Sequence, residues 1–186
     1  NTPIKGIHNV IAAVAYLIHD FPLIKVRIAG YDITCRNTIK DKIKLSGYGK
    51  YILNLLTKYK LQNKVSFLGP LDEHKMIEEY QKAHIFICPS SIENSPNSLG
   101  EAQLIGTPVI ASYVGGIPDM VQNGKTGILY RFEEIEMLAE YIKQIFENDK
   151  LAKQLSENEI REAEKRHDKE TIFKELISIY DNFQDD

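Results

Sequence analysis

The sequence predicts an α/β domain, a Rossmann-like doubly wound parallel sheet followed by a helical C-terminal tail. Three observations lead there. Short β-branched runs alternate with stretches of helical spacing as far as Tyr130, the intervening helices are long enough to carry right-handed crossovers, and from Glu133 onward only helical spacing is left. With 186 residues, 43% of them hydrophobic, the chain can bury one sizeable core. A single domain over residues 1–186 is therefore expected, with the tail at 133–186.

The first helix is read from Ile7, Val10, Ile11, Val14, Leu17, Ile18 and Phe21, which form one apolar stripe that ends at Pro22. LIKVRIAG, Leu23 to Gly30, reads as a strand, and a basic stretch from Gly47 to Tyr59 reads as a helix. VSFLG, Val65 to Gly69, is the next strand. Leu71 to Ala83 follows as a helix with Asp72 as its cap, and HIFICPS, His84 to Ser90, as a nearly unbroken apolar strand. PVIAS and TGILY complete the strands. In the tail, Ile135, Leu138, Ala139, Ile142, Ile145 and Phe146 form one stripe, and Ile172, Phe173, Leu176, Ile177 and Tyr180 another.

Composition removes several classes of function. A net charge of −3 argues against nucleic-acid binding driven by overall charge, because phosphate neutralisation needs a basic surplus. Between Arg36 and Lys64 the charge is locally basic, which reads as a solvated face or as a contact with a phosphate or membrane surface. Cys35 and Cys88 lack metal or redox spacing, so free thiols in a cytoplasmic protein are expected. No apolar run approaches the length of a membrane span.

The segment SSIENSPNSLGEAQLIG holds two glutamates, Glu93 and Glu101, just beyond a strand end, where open α/β sheets bind ligands. Ser95 followed by Pro96 reads as an N-cap with proline in the first helical position, and Gly106 closes the helix. The amides of Asn97, Ser98 and Leu99 would then face outward at a helix end that suits phosphate. Carboxylates beside phosphates would repel them, so Glu93 and Glu101 are better matched to neutral hydroxyls, where a charged acceptor gains about 1.5–3 kcal/mol per bond. A nucleotide-diphosphate sugar carries both groups. The helix start after Gly115-Gly116 is a further candidate to offset phosphate charge. The plainer readings are an exposed loop carboxylate at Glu93, a surface residue at Glu101, a simple turn at Gly115-Gly116, a packing accommodation at Gly100 and a solvated surface charge at Lys5.

Taken together, KGIHNVIAAVAYL, IKVRIAG, VSFLGPL, HIFICPSSIENSPNSLGEA, GTPVIASYVGGIPDMV and NGKTGILY resemble, in order and spacing, the carboxy-terminal domain of the retaining glycosyltransferases of group 1, family 4. The core of the likeness is the Glu-x7-Glu motif, Glu93 to Glu101. The resemblance implies one half of a GT-B fold that binds a nucleotide sugar without metal or other cofactor. It implies that Glu101 holds the ribose hydroxyls, Glu93 a hydroxyl of the transferred sugar and Lys5 the phosphates. By the same likeness the backbone of Asn97, Ser98 and Leu99 contacts the diphosphate and sugar, and Leu68, Gly69, Pro70 and Leu71 flank the base. Gly100, Gln103 and Asp119 depart from the family pattern, and the departures at these positions are read as touching sugar and acceptor fit.

The family also places a strand ahead of Lys5, in the middle of the sheet, and an acceptor-binding domain before that. Both are expected outside this chain, and the loss of a central strand is expected to leave a gap, a rearranged sheet or pairing with another copy, with an exposed apolar stripe on the last helix. The implied activity is sugar transfer to a polysaccharide or glycolipid acceptor, with no catalysis by this chain alone and with membrane association of the full enzyme left open. A non-catalytic nucleotide-sugar-binding module and a GT-B epimerase are the alternatives.

Overall fold

A computed structural model describes residues 2–35 and 45–182. The start of the basic stretch, 36–44, lies outside the described residues. A short 3-10 turn, Pro3–Lys5, leads into α1, Ile7–Leu17, and then β1, Val26–Ala29. Next come α2, Gly47–Lys58, β2, Val65–Gly69, and α3, Glu73–Lys82. They are followed by β3, Phe86–Cys88, α4, Asn97–Ile105, β4, Val109–Ser112, the single-turn α5, Ile117–Met120, and β5, Ile128–Tyr130. The chain continues as α6, Ile135–Glu147, α7, Asp149–Arg166, and α8, Lys169–Asn182.

The three pairings between these strands are parallel, as crossover helices require. The strands form two ladders, β1-β2 and β3-β4-β5, with no hydrogen-bonded join between them among the described residues. The expected break in the sheet therefore falls between the two ladders. One apolar cluster still bridges both ladders. Ile11, Val14 and Leu17 of α1 pack with Ile110 of β4, Ile128 of β5 and Leu138 and Ile142 of α6, with Val26, Ile28, Ile85 and Ile87 against them. Burying each of the larger of these side chains is worth about 1.5–3 kcal/mol, so the shared core, rather than a continuous ladder, holds the two sheets in one unit.

Local chemistry sets the element ends. Ser46 caps α2 by accepting from the Gly49 amide at 3.0 Å, and Asp72 caps α3 by accepting from Lys75 at 2.9 Å. Gly106 ends α4 with φ +83. The first helix stops at Leu17 rather than Phe21, since residues 18–20 form a turn that swings Phe21 onto Phe146 of α6, ring to ring at 5.2 Å. The β1 strand is shorter than LIKVRIAG because Leu23, 87% exposed, has no sheet or core to join.

α6 packs on α1 with Leu138, Ala139, Ile142 and Ile145 inward, and α7 packs along α4. α8 behaves differently. Its apolar residues Ile172, Phe173, Leu176, Ile177 and Tyr180 are between 42% and 62% exposed, so its predicted stripe is uncovered within this chain.

Candidate functional site

The site is built where the 3-10 turn, the loop after β3 and the start of α4 meet. Gly6 adopts φ +66, and a Cβ there would lie 1.7 Å from the carbonyl oxygen of Pro89, so only glycine lets the two segments touch. Next to that contact the Ser91 amide donates to the Ile4 carbonyl at 2.8 Å. These contacts bring Lys5 to Glu93: Lys5 Nζ donates to Glu93 Oε1.

Glu93 is supported from beneath. Ser90 Oγ donates to the same Oε1 at 2.8 Å, and buried Ser112 at the end of β4 donates to the Ser90 carbonyl at 2.5 Å. The Glu93 side chain is 14% exposed against 50% for Lys5, so the carboxylate is held in the wall while the ammonium faces solvent. Below them, burial first and the Glu93 charge second push the Cys88 thiol up to about 11, which keeps it protonated and unreactive.

Gly115 and Gly116 press on the same loop from the other side. Gly115 has φ +50, and a Cβ there would meet the Glu93 carbonyl oxygen at 1.7 Å, while one on Gly116 would meet that of Asn94 at 2.2 Å. The pair thus clamps the Glu93 loop, and the helix it opens, α5, is only one turn long.

Glu101 lies on α4, exposed, and its Oε2 accepts from the hydroxyl of Tyr80 on α3 at 3.0 Å. The same hydroxyl lies 3.2 Å from the Ser98 carbonyl oxygen. Burial, then Glu101 itself, raise the Tyr80 pKa, so this hydroxyl stays a donor.

Three readings from the sequence are corrected at α4. Pro96, not Ser95, is the N-cap, because its extended backbone (φ −71, ψ 116) lies outside the helix, and Ser95 Oγ turns to Met120 Sδ at 3.7 Å. The Leu99 amide is already engaged with the Pro96 carbonyl at 3.0 Å, leaving the amides of Asn97 and Ser98 as the outward pair. Gly100 and Gln103 face α7 rather than a ligand. A Cβ at Gly100 would sit 3.1 Å from His167 Nε2, and buried Gln103 takes the Arg166 guanidinium at 2.6 Å while donating to the Met120 carbonyl at 3.0 Å.

Leu68, Gly69, Pro70 and Leu71 lie at the carboxyl end of β2, where the Gly30 amide donates to the Gly69 carbonyl at 2.8 Å. No hydrogen bond ties them to the two glutamates. Their link is through α3, which starts just beyond Leu71 and carries Tyr80 to Glu101. A cavity of about 480 Å³ opens beside the Glu93 loop, lined by Ser91, Tyr113, Val114, Arg131, Phe132 and Glu133. A second, of about 410 Å³, lies on the tail between Gln144, Glu147, Asn148 and Leu151.

Tyr80, Ser90 and Ser112 were not singled out by sequence reasoning. Tyr80 falls on the inward face of an amphipathic helix and reads as core, and the serines are small polar residues at strand ends.

Comparisons with known proteins identify the family and the fold. The family model described as glycosyl transferases group 1 matches residues 2–162. A D-inositol 3-phosphate glycosyltransferase of Corynebacterium urealyticum is 28% identical over 177 residues, covering 95% of this chain and 40% of the relative. Among solved structures, sucrose-phosphate synthase from Thermosynechococcus elongatus superposes with a TM-score of 0.79 at 27% identity, covering 98% of this chain and 43% of that one. HepE from Anabaena, solved in complex with UDP-glucose, gives 0.80 at 25% identity, with 98% and 46% covered. The chain thus spans about 40% of the length of the curated relative it matches, and its structural neighbours are GT-B glycosyltransferases. This chain belongs to the group 1 glycosyl transferases.

Proposed function

We propose that this chain is the donor-binding half of a retaining glycosyltransferase that moves a sugar from a nucleotide diphosphate to a polysaccharide or glycolipid acceptor. The observation that carries the reading is the meeting of Lys5 with Glu93 beside the open amides of Asn97 and Ser98. In it, Lys5 exchanges its contact with Glu93 for the diphosphate, and Glu93, released, accepts from a hydroxyl of the sugar. Glu101 accepts from the ribose.

The leaving group is a nucleoside diphosphate, and stabilising its growing charge is the main electrostatic task. Lys5 supplies one positive charge and the start of α4 roughly half of another, so a further cation from outside this chain completes the balance. The likeness to a protein solved with UDP-glucose supports a nucleotide-sugar donor, and the fraction of the relatives' length that is matched supports an acceptor domain elsewhere.

Thermal denaturation with UDP-, GDP- and ADP-sugars tests the reading. A bound donor at 100 times its dissociation constant adds about 2.7 kcal/mol of stability, a shift of several degrees. No shift with any of them overturns it.

A further inference from the structure

Glu101 is exposed, yet one of its oxygens is anchored from inside the protein. Tyr80, 4% exposed, reaches it across the α3–α4 interface at 3.0 Å. The phenol has a single proton and two acceptors within reach, Glu101 Oε2 and the Ser98 carbonyl oxygen, so it ties the carboxylate to the first turn of α4.

The ring itself has little freedom. It stands edge-on to Phe86 of β3 with centroids 5.5 Å apart, and the Tyr80 carbonyl accepts from the buried hydroxyl of Thr107 at 2.9 Å. Helix, strand and the loop before β4 thus fix the point from which the hydroxyl donates. Oε1 of Glu101 makes no hydrogen bond among the described residues and is left for a partner from outside.

We propose that Tyr80 is a positioning residue that presents Glu101 to the ribose of the donor and thereby sets the preference for a ribonucleotide over its deoxy analogue. This rests on the reading that Glu101 accepts from ribose hydroxyls. An unanchored glutamate on a helix surface samples several rotamers, and freezing it on binding costs entropy. With Oε2 already held, that ordering is in place before the ligand arrives. A ribose hydroxyl then finds a fixed acceptor, whereas a dideoxy sugar leaves an anchored carboxylate without its partner.

Calorimetric titration with UDP, GDP and ADP identifies the tightest of the three, and the comparison is with its 2′,3′-dideoxy analogue. The wild-type chain is expected to prefer the ribonucleotide, and Glu101→Gln to lose most of that preference. Tyr80→Phe, which keeps the ring and removes only the hydroxyl, is expected to cut the preference by about 5-fold or more, the size of one ordinary hydrogen bond. In a Glu101→Gln background the same Tyr80→Phe change should leave the ratio where it was. A merely structural role for Tyr80 would lower melting temperature and affinity for both nucleotides alike. Loss of preference in Glu101→Gln with full preference kept in Tyr80→Phe overturns the proposal and leaves the Glu101 reading intact. Equal binding of both nucleotides by wild type overturns both.

Discussion

Lys5 Nζ and Glu93 Oε1, 88 residues apart in sequence, form an ion pair at the mouth of the site. Without ligand the two groups proposed to handle opposite ends of the donor satisfy each other. Each holds the other in place, and a diphosphate must compete with Glu93 for Lys5. Lys5→Ala should therefore weaken nucleoside diphosphate binding by roughly 10- to 100-fold, the value of a charge-assisted hydrogen bond. Glu93→Gln should bind the diphosphate at least as tightly as wild type, since it frees the ammonium, while abolishing sugar transfer in the full-length enzyme. Titration calorimetry and a transfer assay separate these effects.

The glycine clamp should resist any side chain. A Cβ on Gly115 overlaps the Glu93 carbonyl at 1.7 Å, and the left-handed φ of +50 adds strain. Gly115→Ala is expected to lower stability by about 2 kcal/mol or more and to displace Glu93, so that donor affinity falls with the melting temperature. Gly124→Ala is the control, since it shares a positive φ of +74 but has open space around it. Its loss should be smaller and leave binding unchanged.

Glu159 is fully buried on α7, and neither oxygen makes a hydrogen bond of normal geometry. Burial pushes its carboxyl from 4.5 to about 10, and the backbone of Val109 offsets only part of this. Between those values the native chain holds a proton that the unfolded chain has released. Its contribution is fully present below pH 4.5 and is lost as pH rises toward about 10. Glu159→Gln should raise the melting temperature at pH 8 and flatten its fall from pH 6 to pH 9, which differential scanning calorimetry would record.

The end of α7 braces α4 through Arg166 and His167. Arg166 donates to the Met120 carbonyl at 3.1 Å as well as to Gln103, and burial lowers its pKa. Gln103→Leu would leave that buried guanidinium short of a partner and should destabilise the chain by about 2 kcal/mol or more. Gly100→Ala should cost less, and His167→Ala should rescue it by opening the space that the new methyl needs. Thermal melts of the single and double variants give the coupling.

Much of this architecture was legible because it follows from local rules. The β2 strand at Val65–Gly69, the Asp72 cap of α3 and the Gly106 stop of α4 are each fixed by a few neighbouring residues. The start of α4 was displaced by one residue because a serine ahead of a proline is the usual cap pattern, and only the backbone angles show Pro96 to lie outside the helix. The packing partners of Gly100, for which packing was one of two readings, and of Gln103, read only as touching sugar and acceptor fit, were hidden for a different reason. These partners, His167 and Arg166, lie more than a whole helix away in sequence, and no local pattern announces the contact. Tyr80 was hidden in the same way, since helical spacing marks it as core while its hydroxyl serves a surface carboxylate. The role of Lys5 followed from family resemblance rather than residue chemistry, because an isolated lysine ahead of a helix has no ligand signal of its own, and its contact with Glu93 was not anticipated.

The central claim is that a nucleoside diphosphate sits between the turn of Lys5, the Glu93 loop and the first turn of α4. Backbone amide NMR of this chain titrated with UDP, GDP and ADP tests it most directly. For at least one of them the largest shifts should fall on Gly6, Glu93, Asn97 and Ser98, and Lys5→Ala should diminish them. Shifts confined to the tail cavity around Gln144 and Leu151, or none with any of the three, would contradict it.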